Sequence, residues 1–182
     1  MSDLRATRVT AFTTVALLTT TQDLVRSVLP RLTDAAEADI IAEETLSLVA
    51  TTSARAVESG LRLQGALVES VGPAVLETPF LYHDFVLGAS LVAEGVEGDV
   101  EVDQSVYDRL TRKGEFYAVH FPVGRFPGPS TLREKLPLWM GRISPPKLPS
   151  TPGDRLEETG VIELLSAHLR LVLAFAQRTA GE

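Results

Sequence analysis

Stretches in which apolar residues recur every three or four positions alternate with stretches punctuated by proline and glycine, and this pattern predicts a mainly helical fold. Between residues 4 and 29, Val9, Phe12 and Ala16 fall at helical spacing, as do Val15, Leu18, Val25 and Leu29. Seven threonines among the first 21 residues pull the other way, because β-branched side chains lose χ1 freedom in a helix and favour strands. Thr20 with Asp23 offers the alternative of a strand followed by a freshly capped helix. The periodicity carries the reading: one kinked helix, closed before Pro30.

Asp34 followed by Glu37 is a capping box, with Thr33 as the alternative cap, and it opens a helical stretch to about residue 71. Glu37, Asp39, Glu43 and Glu44 load its first turns, where the helix dipole favours negative charge. Its inward residues are mostly small (Ala38, Ala42, Thr45, Ala50, Ser53, Ala56), so this helix is expected to pack centrally or against a second copy. Gly60 and Gly65 suggest a break or bend, and Gly72-Pro73 punctuates the chain after it. Thr78 then caps a helix with Pro79 at its first position and Phe80, Leu81, Phe85, Ala89 and Val92 on its apolar side, ending near Gly95.

Further along, residues 99–103 alternate acid with valine, and Glu115 to Phe121 reads as a second short strand. The two are expected to pair across a helix running from Asp103 to Lys113 and closed by Gly114. Eight of the eleven prolines lie between Pro122 and Pro152, which predicts a long loop segment with only a short helix from Thr131, interrupted at Pro137. Residues 143–153 read as extended and polyproline-like. Asp154 and Glu157 open the last helix, to about Thr179, whose polar residues form one narrow stripe of Glu163, Ser166, Arg170 and Gln177. Such a helix is buried on most sides, in a core or an oligomer interface. The expectation is therefore a bundle of about five helices with a minor two-stranded β ribbon and a long Pro-rich loop segment, in one domain spanning 1–182 with a basic Pro-rich segment at 109–153.

Composition narrows the function classes. A chain of 182 residues with 45% apolar and 23% charged residues is large enough to bury a continuous core as one domain. The absence of cysteine excludes disulfides, thiolate catalysis and cysteine-ligated metal centres. No apolar run approaches 18 residues, so no membrane span is expected. Asp3, Thr10, Thr13 and Thr14 interrupt any export signal, and the expected location is cytoplasmic.

Charge changes the picture more. The chain carries a net −7, yet Arg109, Arg112, Lys113, Arg125, Arg133, Lys135, Arg142 and Lys147 face only Glu115 and Glu134 within residues 109–147. The only tryptophan, Trp139, lies among them. One reading is internal: the basic segment neutralises the acidic start of the 34–71 helix, in its own chain or a second copy's. Another makes it a site for a phosphate-bearing ligand or an acidic protein, since arginine forks suit bidentate anion contacts. A third has it track nucleic acid, with Phe116, Tyr117, Phe121, Phe126 and Trp139 as stacking partners; the acidic chain as a whole disfavours this. The candidate anion- or partner-binding residues are Arg112, Lys113, Arg125, Arg133, Lys135, Arg142 and Trp139.

Signatures of catalysis are sparse. There is no Walker loop and no GxGxxG, and Ser90 lacks the closing glycine of a hydrolase elbow. Asp99, Glu101 and Asp103 begin like a calcium loop, but Gln104 replaces the required glycine and Leu110 stands at the twelfth position. His83-Asp84 lacks the earlier histidine that a helical metal site of that type needs. His83, His120 and His168 are the candidate metal triad, though no two are spaced as a local clip. His168 shares a helix face with Leu164, Leu171, Val172 and Phe175 and reads as a hydrogen-bonded core residue. No cofactor is expected. The functional expectation is binding and assembly as a homo-oligomer; the alternative is an enzyme using His120 or His168 with a carboxylate on an anionic substrate.

Overall fold

Every residue from Glu44 to Glu58 is buried, an unbroken run that only a helix surrounded on all sides can produce. In the computed structural model, which describes residues 2–28, 38–62, 64–93, 104–143 and 160–182, this run belongs to the central helix of the fold. Seven helices are present among the described residues: α1 (Ser2–Val28), α2 (Ala38–Leu61), α3 (Gly65–Leu76), α4 (Thr78–Ala93), α5 (Gln104–His120), α6 (Pro129–Ile143) and α7 (Val161–Gly181). All six others pack against α2.

The small, hydroxyl-rich sequence of α2 suits that position. Thr45, Thr51 and Thr52 return their hydroxyls to the carbonyls of Ile41, Ser47 and Leu48, so these polar groups are satisfied within the helix itself. Small side chains also allow close approach: a Cβ on Gly60 would lie 2.8 Å from Ala176 Cβ and 3.1 Å from the Leu173 carbonyl of α7. The expected central helix is thus present. It ends at Leu61, and α3 starts at Gly65, so the helical stretch to residue 71 is two helices, parted where Gly60 and Gly65 suggest a break or bend.

One continuous helix, α1, satisfies the first region. Ala6, Val9, Thr13, Leu17, Thr20, Leu24 and Val28 form a buried line at helical spacing, and packing on α2, α3 and α7 overrides the strand preference of its threonines. α7 runs antiparallel to it, with Phe12 stacked on Phe175 at 3.9 Å and Arg8 paired to Glu182. Gly160, at φ 68°, turns the chain into α7. Its narrow polar stripe needs correcting: Ser166 is buried, and Ala167, Leu171 and Ala174 are exposed beside Glu163, Arg170 and Gln177. The proposed opening of this helix at Asp154 and Glu157, and the capping box at Asp34 and Glu37, lie outside the described residues.

No strand occurs among the described residues, which removes the β ribbon. Residues 99–103 are not described. Glu115 to His120 continues α5 through Gly114. The alternation in that stretch is short, and the pattern that wins is Val106, Leu110, Lys113, Tyr117 and Phe121, all buried at helical spacing, with Val119 79% exposed between them. At the end of α5 the buried Arg55 guanidinium donates to the Phe121 carbonyl at 2.8 Å, a cap supplied by α2.

Two prolines expected to break helices sit inside them: Pro73 in α3 and Pro137 in α6. A proline deprives the carbonyl four residues earlier of its donor. Those residues are Glu69 and Arg133, both exposed, so water can replace the missing partner. α6 accordingly spans Pro129–Ile143 instead of a short helix from Thr131 interrupted at Pro137, and its Leu132, Leu136, Trp139, Met140 and Ile143 join the core. Thr78 does open α4, but its buried hydroxyl has no hydrogen-bond partner, so it makes no side-chain cap. The connected core draws on α1, α2, α3, α5, α6 and α7.

Candidate functional site

The acidic start of α2 and the basic face of α5 and α6 meet in a cluster with Glu44 and Lys113 buried at its centre and Arg109 and Arg142 at its rim. Arg109 reaches Glu43 with two parallel hydrogen bonds, Nε to Oε2 at 2.8 Å and a terminal nitrogen to Oε1 at 2.7 Å. Lys113 Nζ lies 2.9 Å from Glu43 and 3.3 Å from Glu44. Arg142 holds Glu44 in the same bidentate manner, at 2.7 Å for both contacts, and the Tyr117 hydroxyl donates to Glu44 at 2.8 Å. The Arg142 guanidinium also stands 4.4 Å above the Phe116 ring centroid.

These contacts fix the ionisation of the cluster. Burial alone would raise the Glu43 carboxyl, but hydrogen bonds from Arg109 and Lys113, reinforced by their charge, hold it at about 2. Glu44 is likewise lowered: burial opposes ionisation, and Arg142, Tyr117 and Lys113 outweigh it. Tyr117 moves up, chiefly through burial and then through the Glu44 charge. Each carboxylate is fully engaged, and the network holds α2, α5 and α6 together.

The candidate binding residues therefore divide. Lys113 and Arg142 are engaged by Glu43 and Glu44 within the chain, which is the internal pairing weighed for the basic segment. Trp139 is 0% exposed and offers no surface for stacking; Tyr117 and Phe121 are buried too. Lys135 pairs with its neighbour Glu134 at 2.7 Å. Arg112, Arg125 and Arg133 remain exposed.

The histidines do not converge either: no group of three or more metal-ligating side chains forms among the described residues. His168 sits between α1 and α2, its Nδ1 3.0 Å from the Thr20 hydroxyl and its Nε2 2.7 Å from the Ser53 hydroxyl. Burial holds it down at about 4, neutral at physiological pH. It has hydroxyl partners where an acid–base pair needs a carboxylate. His120 rests edge-on against Phe116 at 4.7 Å. His83 lies edge-on to Tyr107 on a different side of the fold.

That third histidine borders the feature with most chemical potential. A cleft of about 1030 Å3 opens between α1, α2, α4 and α5. Leu18, Val25, Ile40, Leu46, Val86 and Leu110 supply aliphatic walls. Thr21, Gln22, Glu43, Tyr82, His83 and Arg109 supply polar groups, so the cleft shares Glu43 and Arg109 with the charge cluster. Thr21 Oγ1 on α1 and His83 Nε2 on α4 are buried and have no hydrogen-bond partner. Just outside, the Tyr107 hydroxyl donates to Asp84 and ties α5 to α4.

No family model, curated protein or solved structure matches this chain. The site therefore stands on its own geometry. Sequence reasoning missed Thr21, Tyr82 and the cleft as a whole. Its walls come from four helices, and only packing brings them together. The one local signal was Tyr82-His83 beside the apolar positions of α4.

Proposed function

We propose that this protein acts by binding and that the cleft between α1, α2, α4 and α5 takes a small amphiphilic molecule. The observation that carries this is the cleft itself, about 1030 Å3 with aliphatic walls and a few polar groups, the composition and size of ligand sites in general. The cytoplasmic setting expected from the sequence belongs to the same proposal; no helix of the described residues is long and apolar enough to cross a membrane. The neutral fluorophore N-phenyl-1-naphthylamine tests it, because its emission rises in apolar sites. Ile40 and Val86 line the cleft at 41% and 43% exposure, so Ile40→Glu and Val86→Glu place a charge in it with little cost to folding. The wild type should bind the dye saturably and both variants should lose it while their circular dichroism is unchanged. Equal dye binding by all three, or none by the wild type, would refute the proposal.

A second reading keeps the expected homo-oligomer but moves its interface. The small face of α2 is covered within the chain by α1, α3 and α7, so it needs no second copy. On α4, by contrast, Leu81 and Phe85 are 62% and 73% exposed one turn apart and lie outside the cleft lining. Pairing of two copies through α4 would cover them. Light scattering on a dilution series should then show a dimer that Leu81→Ser/Phe85→Ser converts to monomer; a monomeric wild type would end this reading. The anion-binding expectation narrows to Arg112, Arg125 and Arg133, whose side chains face solvent.

A further inference from the structure

We infer that the cleft selects a ligand with an uncharged, hydroxyl-bearing head group and an aliphatic body, such as a medium-chain alcohol. This inference rests on the cleft being the binding site, and it adds the chemistry of what binds. Two observations on different helices carry it. Thr21 is nine-tenths buried, lines the cleft and has no partner for its hydroxyl. His83, across the cleft on α4, leaves Nε2 unpaired. Buried polar atoms in folded proteins almost always find partners, so unpaired atoms on two residues that line one cleft point to a ligand group that completes the pairing. A hydroxyl suits both, because it donates and accepts at once and so matches either tautomer of the imidazole.

The charged groups of the cleft argue for a neutral head group. Glu43 and Arg109 both line it, and they already satisfy each other through two bonds of 2.7 and 2.8 Å. Lys113 adds a third bond to Glu43 at 2.9 Å. An anionic head group would have to displace Glu43 from Arg109. A cationic one would have to draw Glu43 away from both cations. Either exchange gives up charge-assisted bonds already made, whereas a hydroxyl leaves them intact. The aliphatic walls then take the hydrocarbon chain.

The test is competition against bound N-phenyl-1-naphthylamine by 1-decanol, decanoate and decylamine, each below its aggregation threshold at pH 7.5. Decanol should displace the dye at a concentration about tenfold lower than either charged analogue, a difference of about 1.4 kcal/mol. Thr21→Val, which removes the hydroxyl but keeps the shape, should weaken decanol about fivefold more than it weakens the dye, the loss of one neutral hydrogen bond. The same substitution should raise the melting temperature of the ligand-free protein, because it removes a buried unpaired hydroxyl. Dye binding that survives Ile40→Glu and Val86→Glu would overturn the cleft reading itself. Dye binding confined to the cleft, with decanoate or decylamine competing as well as decanol, would overturn only the head-group inference. So would a Thr21→Val protein that binds decanol as the wild type does.

Discussion

Removing Glu44 tests whether the charge cluster holds the fold together. Glu44 is 3% exposed and accepts from Arg142 twice and from Tyr117 once, with Lys113 at 3.3 Å. In Glu44→Ala, Lys113 keeps Glu43, and Arg142, whose side chain is 35% exposed, can turn to water. Tyr117 cannot: at 1% exposure its hydroxyl loses its acceptor in a dry site. An orphaned buried hydroxyl costs about 1–3 kcal/mol and breaking a buried ion pair about 3–5, so the relief at Lys113 and Arg142 places the loss at about 3–4 kcal/mol. Glu44→Leu/Tyr117→Phe removes donor and acceptor together and should recover about 1–3 kcal/mol of that loss, the cost of the orphaned hydroxyl. Arg133→Ala, on the exposed side of α6, should change stability by no more than about 0.5 kcal/mol. Urea unfolding at pH 7 measures all three, with fluorescence of Trp139, the only tryptophan and wholly buried in α6, as the reporter. Protein concentration must be fixed, because assembly would couple to the midpoint. A Glu44→Ala cost below about 1 kcal/mol, or a double variant no better than the single one, would refute the account of the cluster.

Stability should fall in acid by two overlapping steps. His168 takes up its proton near 4 when folded against 6.5 ordinarily, so the unfolded chain protonates first and about 3 kcal/mol is lost between those values; His168→Leu should flatten that part of the urea-midpoint profile. Glu43, at about 2 against 4.5, adds a loss as pH falls through that window, and Arg109→Ala should narrow it. Gly60→Ala should destabilise by about 1–3 kcal/mol in thermal unfolding, because its methyl meets Ala176 at 2.8 Å in a packed interface. Gly114→Ala should gain about 0.5–1 kcal/mol, since α5 continues through that position and nothing lies within 4 Å of the added methyl; a loss would favour a helix end there.

Helical periodicity was sufficient where the tertiary environment agreed with it. α1 keeps a buried line from Ala6 to Val28 despite its threonines, and the small-residue run of α2 pointed to close packing, centrally or against a second copy, of which the central place is seen. The failures share a cause as well. Glu115 to Phe121 was short enough to fit either period, and what decides is remote: Lys113 and Tyr117, four apart, both meet the acidic start of α2. Pro73 and Pro137 read as breaks because sequence does not tell which way the carbonyl four residues earlier faces. That residue is exposed in both cases, and the helices run on. The core reading of His168 followed from its apolar neighbours in sequence, whereas Thr20 and Ser53, more than a hundred positions away, could not be named.

The charge asymmetry of the sequence was the strongest signal in it, and the structure spends much of that signal on folding. Two carboxylates near the start of α2 take up Arg109, Lys113 and Arg142 from α5 and α6, which also pack apolar residues into the core. Ion pairing is directional where apolar burial is not, so it fixes the register of α5 and α6 on α2. The same pairing neutralises the charged side of the cleft, because Glu43 and Arg109 face it while holding each other. A segment that looks built to attract anions thereby leaves Thr21 Oγ1 and His83 Nε2 as buried unpaired atoms on residues that line the cleft, and the head-group inference rests on them rather than on the arginines.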